Sequence, residues 1–275
     1  MTSINPYMSF ATNNSRFKKT SSVFRKPFLA VGLALLAAAP GFASDTNQFP
    51  AYAQHVYLAA QARHQADPTN ADAACRFARA CFDRAEFATN KTERADLAEK
   101  GIAVCRALLE RQTNSAAGHY LLGMNLGQLA RTKFLGALRI VDEMEREFKT
   151  ASQLDQHLDY AGPERNLGLL YLDAPSFGSI GSRKKARYYL QQAARLAPDY
   201  PENRLNLAET YLQWHEDEAA QHQLDVLEKM WPQAHKEFTG EKWAASWWDW
   251  NKRLEAVKQK LHETPMVSSP RGKSD

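Results

Sequence analysis

Eight histidines are the residues best suited to acid-base or metal chemistry: His55, His64, His119, His157, His215, His222, His235 and His262. None makes an H-x-x-x-H or H-E-x-x-H pair, so a helical zinc site of the protease type has no ligands. The sequence holds no G-x-S-x-G nucleophile turn, no P-loop and no G-x-G-x-x-G. Gly178 and Gly181 form a single G-x-x-G, which reads as loop punctuation. Cys75, Cys81 and Cys105 contain no C-x-x-C pair. Cys81 and Cys105 could bridge if two antiparallel helices bring them together, or all three could be small buried apolar groups. The acidic run Glu216-Asp217-Glu218 suits capping and solvation of a helix start better than a metal. No catalytic residue, metal site or cofactor is expected, and the chain does not read as an enzyme.

The charge balance points the same way. Net charge is +4, but residues 1–43 hold Arg16, Lys18, Lys19, Arg25 and Lys26 and no acid. Without them the balance is −1, which leaves no basic face for nucleic acid; Arg183, Lys184, Lys185 and Arg187 are too few to make one. Twelve apolar residues, Phe28 to Ala39, follow the basic stretch and lead to small residues at Gly41 and Ala43. This is the pattern of a secretory leader cleaved after Ala43. Twelve residues rise about 18 Å as a helix, short of a bilayer core, so no retained transmembrane helix is expected. A periplasmic or secreted location follows.

Residues 45–264 place apolar side chains at helical steps and almost nowhere alternate. Ala74, Phe77, Ala78, Cys81, Phe82 and Ala85 make one stripe; Leu97, Ile102, Cys105, Leu108 and Leu109 make the next. The expectation is an all-α chain. The helices also repeat. Leu207, Ala208, Tyr211, Ala220, Leu224 and Pro232 fit L-G-x-x-Y, then A-x-x-x-F, then P. Pro198 lies 34 residues before Pro232. Leu167, Gly168, Tyr171, Ala186, Leu190 and Ala193 repeat the pattern with six extra residues between the helices. Leu122, Gly123, Leu126, Met144, Phe148 and Ala151 supply a third copy, and more degenerate pairs are expected in 50–110.

These positions resemble the tetratricopeptide (TPR) repeat family, although its tryptophan is replaced by His119, Glu164 and Arg204. The resemblance implies helix-turn-helix units stacked as a right-handed superhelix, an α-solenoid, with small residues at the helix crossings and proline closing each second helix. Trp243, Trp247, Trp250, Leu254, Val257 and Leu261 form the stripe of a C-terminal capping helix, with Lys242, Asp249, Lys252, Glu255 and Lys258 off that stripe. Trp248 also falls off it and is a candidate exposed anchor. Residues 265–275 form a polar tail without periodicity, expected to be disordered.

Recognition is expected on the concave face, lined by the first helix of each pair. The register places Tyr120, Met124 and Gln128 there, then Arg165, Leu169 and Asp173, then Leu205, Glu209 and Gln213; Arg165, Asp173 and Glu209 are its polar candidates for touching a partner. Phe177 and Ile180 sit on the inserted loop, where an apolar pair must fold over the groove or bind something. The stretch from Leu167 to Leu212, with the loop Ala174-Pro175-Ser176-Phe177-Gly178-Ser179-Ile180-Gly181 and the linker Asp199-Tyr200-Pro201-Glu202-Asn203, also resembles the T-component of TRAP transporter systems. That resemblance covers roughly residues 70–235 and implies an exported scaffold whose partner is a periplasmic solute-binding protein or its ligand. A general envelope or secretion assembly factor holding an extended peptide is the alternative.

Overall fold

The computed structural model describes residues 48–133 and 136–263; the leader 1–43 and the tail 265–275 lie outside it. Ten α-helices and no strand are present among the described residues. They are α1 (Gln48–Ala66), α2 (Ala71–Glu86), α3 (Lys91–Arg111), α4 (Ala116–Ala130), α5 (Ala137–Leu154), α6 (Leu158–Asp173), α7 (Arg183–Leu196), α8 (Pro201–Gln213), α9 (Asp217–Glu237) and α10 (Ala244–Glu263), the last preceded by a 3-10 turn, Glu241–Trp243.

Local chemistry starts these helices where they start. The side chains of Asn70, Asn90 and Ser115 accept from the backbone N–H three residues on, at 2.9, 2.9 and 3.1 Å, opening α2, α3 and α4. Ser182 does the same for α7 at 3.3 Å. Pro201 occupies the first turn of α8, where its missing N–H costs nothing. Pro198 follows the end of α7, as the repeat requires. Pro232 does not close α9, which runs on to Glu237. The added turn carries Ala234 into the C-terminal apolar cluster and leads to Phe238 at its centre, a gain that offsets one lost backbone hydrogen bond.

The helices pair as α2/α3, α4/α5, α6/α7 and α8/α9. The region 50–110 thus contains one pair and an added helix, α1, packed on α2. The small repeat positions are crossing points. A β-carbon on Gly123 would lie 2.5 Å from the Phe148 ring, and one on Gly168 would lie 2.6 Å from Leu190 Cγ and 2.9 Å from its backbone nitrogen. Because backbone cannot yield as a side chain can, Gly168→Ala is expected to cost about 1 to 3 kcal/mol. An unchanged midpoint in urea unfolding would show that α6 and α7 do not cross there.

The cysteines fill core space: Cys81 and Cys105 are buried, Cys75 is half-buried, and all three are free thiols. The expected capping helix exists but reaches further than the last repeat. Trp243, Trp250, Leu254 and Val257 are buried with Tyr200, Phe238 and Leu205 against α8 and α9, while Ala245 at the start of α10 meets Phe49 of α1. Trp248 is 43% exposed, with its ring 6.3 Å from that of Phe49 and the Lys252 ammonium 5.2 Å above it.

Candidate functional site

The first helices of the pairs carry the expected wall residues, but packing treats them differently. Tyr120, Met124 and Leu205 are buried in the apolar core. Gln128 is fully buried; it accepts from Arg94 Nη1 at 2.6 Å and donates to Glu86, tying α4 to α2 and α3. Packed against α2, α3, α5 and α6, α4 has little wall left for a partner.

Arg165 is a further correction. Its side chain is buried, and its guanidinium closes an unusual turn at the start of α6. Asp159, Tyr160 and Ala161 all take left-handed backbone angles, φ 51, 56 and 59°, a conformation costing about 1 to 2 kcal/mol per non-glycine residue. Arg165 Nη1 donates to the Asp159 and Tyr160 carbonyls at 3.4 and 3.1 Å. Asn203 Nδ2 donates to the Tyr160 carbonyl at 3.0 Å. The Tyr160 ring stacks on Tyr200 at 4.6 Å. These contacts hold Asp159 inward, where Oδ2 accepts from Tyr120 Oη at 2.7 Å and Arg79 Nη1 at 3.2 Å and lies 3.6 Å from Arg165 Nη2. Burial, reinforced by the Asp159 carboxylate, pushes the Tyr120 hydroxyl well above its ordinary pKa. The cluster joins α2, α4 and α6.

The four remaining wall residues, Leu169, Asp173, Glu209 and Gln213, line one cleft of about 620 Å³ between α6, α8 and the end of α10. Leu169 is itself buried, packed in the apolar core with Leu190, Leu207 and Tyr211, and with the half-buried Leu172 it floors one side; Asp173 and Gln213 are exposed at the edge. Glu209 is half-buried and already has a partner. Arg253 of α10 holds it with two hydrogen bonds, Nε to Oε1 at 2.9 Å and Nη2 to Oε2 at 2.7 Å, a planar fork on a carboxylate. Arg253 also donates to Asn206 Oδ1 at 2.6 Å and to Asp249 Oδ2 at 3.3 Å, and lies 3.9 Å from Glu202.

Periodicity alone missed Asn206, Arg253 and the α10 residues Lys260 and Glu263, which complete the cleft or support it. It also left Asp249 off the apolar stripe, yet the carboxylate is buried. The signal available was Asp249 and Arg253 at i, i+4 on a helix otherwise anchored by aromatics. Of the loop pair, Ile180 is half-buried against the core that contains Tyr171 and Ala186, while Phe177 is 97% exposed. The acidic run does structural work: Glu216 pairs with Arg183 and Arg187 of α7 at 2.5 Å each, which holds its carboxyl down at about 2, the Arg187 hydrogen bond leading.

Burial pushes the Asp249 carboxyl up to about 6; Arg253 opposes the rise and Glu202 adds to it. An unfolded aspartate titrates near 4. Between about pH 4 and 6 the folded chain therefore keeps a proton that the unfolded chain releases, so this contribution is full on the acid side and is lost as pH rises through about 6. Relative to Asp249→Asn, the native chain is expected to lose on the order of 2 kcal/mol across that window, read from urea unfolding at stepped pH. Parallel profiles for the two proteins would overturn the assignment.

A family model described as regulator of microtubule dynamics protein 1-3 matches residues 44–157, less than half of the chain and none of the cleft. Among solved structures, the chain is similar to the crystal structure of a thermophilic TPR protein in Thermus thermophilus, with a TM-score of 0.56 and 20% identity over 78% of this chain and 100% of that one. That likeness bears on the fold: stacked helix pairs forming a TPR-type α-solenoid. The search of curated proteins gives no match.

Proposed function

We propose that this chain is a non-catalytic scaffold that holds a segment of a protein partner in the cleft between α6, α8 and α10. A TPR-type solenoid is suited to protein interaction, and one observation carries the reading to this place. Leu169, Asp173, Glu209 and Gln213, which the repeat register directs inward, line a single open cleft, while the other wall residues are consumed by packing. Export by the leader 1–43 belongs to the same proposal, and fractionation of cells expressing the full chain tests it: recovery of uncleaved protein with the cytoplasm counts against it.

The partner we favour is a periplasmic solute-binding protein, as the transporter T-component resemblance implies. The inserted loop that carries much of that resemblance begins immediately after Asp173, at the cleft's edge. A general envelope or secretion assembly role is the competing reading. Affinity recovery from envelope extracts separates them by what is retained with the native chain and lost with Gln213→Trp. That exposed substitution fills the cleft and leaves its charge unchanged. A solute receptor in that fraction supports the first reading, and outer-membrane or secretion machinery the second. Retention of the same partner by Gln213→Trp would place recognition elsewhere.

A further inference from the structure

We propose that the loop between α6 and α7 docks the protein on an anionic lipid surface, with Phe177 among the acyl chains and the basic first turn of α7 against the phosphates. The neck of the loop is closed. Gly181 N–H donates to the Pro175 carbonyl at 3.0 Å and Ser182 N–H to the Tyr171 carbonyl at 2.9 Å, and Ile180 folds back on the core that contains Tyr171 and Ala186. A β-carbon on Gly181 would lie 2.0 Å from the Ala174 carbonyl oxygen, so the base has no slack. Beyond it the chain turns at Gly178, φ 73°, where an added β-carbon would meet nothing within 4 Å. Phe177 is therefore held out from a fixed base into open space, 97% exposed. Removing such a ring from water is favourable. It stands alone with no groove around it, and fluid acyl chains accept a single ring without a matching shape.

Charge at the foot of the loop is the second, independent observation. Arg183, Lys184 and Lys185 are exposed in the first turn of α7, which holds no acidic residue. The helix dipole disfavours cations there, so the stability of α7 does not account for them. Ion pairing does not consume them either. Glu216 is shared by Arg183 and Arg187, and Glu145 by Lys149 and Lys185. With Lys184, five cations stand against those two carboxylates, an excess of three positive charges; Asp173 and Asp217 line the cleft instead. Flat rings hold three of the cations in place: Arg183 and Arg187 lie 4.6 and 4.8 Å over Trp214, and Lys185 lies 4.7 Å over Tyr171. Phe177 precedes Arg183 by six residues, about 20 Å at full stretch and less across the closed neck, so one flat surface meets both. Basic side chains beside an inserted apolar one are what an anionic bilayer retains.

The test reads tryptophan fluorescence of the full chain, native and Phe177→Trp, titrated with vesicles of phosphatidylcholine brominated on its acyl chains, with and without phosphatidylglycerol. Residues 1–43 are common to both proteins, so the difference between them reports the loop. Phe177→Trp is expected to show quenching beyond that of the native chain, at about tenfold less lipid with the anionic vesicles than with the neutral ones, and to lose it in high salt. Adding Lys184→Gln and Lys185→Gln to Phe177→Trp should raise the lipid required by about tenfold, with thermal melting unchanged. No added quenching, equal quenching by neutral vesicles, or indifference to the two lysines overturns the inference. So does an envelope protein retained by the native chain and lost with Phe177→Ser while vesicles add no quenching, a result that assigns the loop to a protein. The cleft takes no part in this measurement, so its failure leaves the cleft reading standing.

Discussion

Asp159→Asn is expected to lose about 3 to 5 kcal/mol of folding free energy, because removing one member of a buried ion cluster leaves its desolvated arginines short of a countercharge. Asparagine tolerates left-handed backbone as aspartate does, so the variant keeps the φ of 51° at position 159 and changes the charge. Arg79 retains Asp83 at 3.1 Å. Arg165 retains the attraction of Glu202 and three neutral acceptors, the Asp159 and Tyr160 carbonyls and Asn203 Oδ1 at 3.2 Å. At about 2 to 4 °C per kcal/mol for a chain of this size, melting should fall by at least roughly 6 °C. A loss below about 1 kcal/mol would mean that the carboxylate contributes little to joining α2, α4 and α6. Asp159→Ala should be worse still, since it strains the turn as well as removing the charge.

Arg253→Met is the second large effect. Methionine fills the space and removes the charge, leaving Glu202, Glu209 and Asp249 facing one another; a loss of about 3 to 5 kcal/mol is expected. The damage should concentrate in α10. Trp243 and Trp250 are buried by α10 and the turn before it, so tryptophan emission should shift to the red and α10 should become sensitive to limited proteolysis before the repeats do. Adding Asp249→Leu to Arg253→Met should recover part of the loss by removing one unpaired carboxylate. A double variant no more stable than the single would show that Arg253 acts by packing its stem rather than by neutralising charge.

Both variants fall where reading the chain as a line of residues had least purchase. The helix pairs were legible because their cause is local. A 3.6-residue period, a small residue at Gly123 or Gly168 and a bulky one at Phe148 or Leu190 recur at set spacings, and each contact joins neighbours in sequence. Of the wall, Leu169, Asp173, Glu209 and Gln213 share a cleft as the register implied. Arg165, Tyr120, Met124 and Gln128 were assigned by the same register and are buried. Burial depends on what covers a residue, and the cover comes from far along the chain. Asn203 reaches Arg165 across 38 positions, and Asp159 reaches Tyr120 across 39.

The C-terminal helix shows the same division. Its aromatic stripe announces that one face is packed, but not that Asp249 and Arg253 also turn inward or that the helix start meets α1. Pro232, read as a terminator, sits inside α9 because the turn beyond it carries Phe238 into an aromatic cluster.

What the residue order settled alone is the class of fold, since helical period and caps act within one or two turns and the crossing glycines meet the next helix along the chain. Which polar groups are buried, which are left at a cleft, and that α10 covers part of the inner face were decided only by tertiary assembly. A charge is buried or exposed according to partners brought from distant parts of the chain, and no local pattern encodes their arrival.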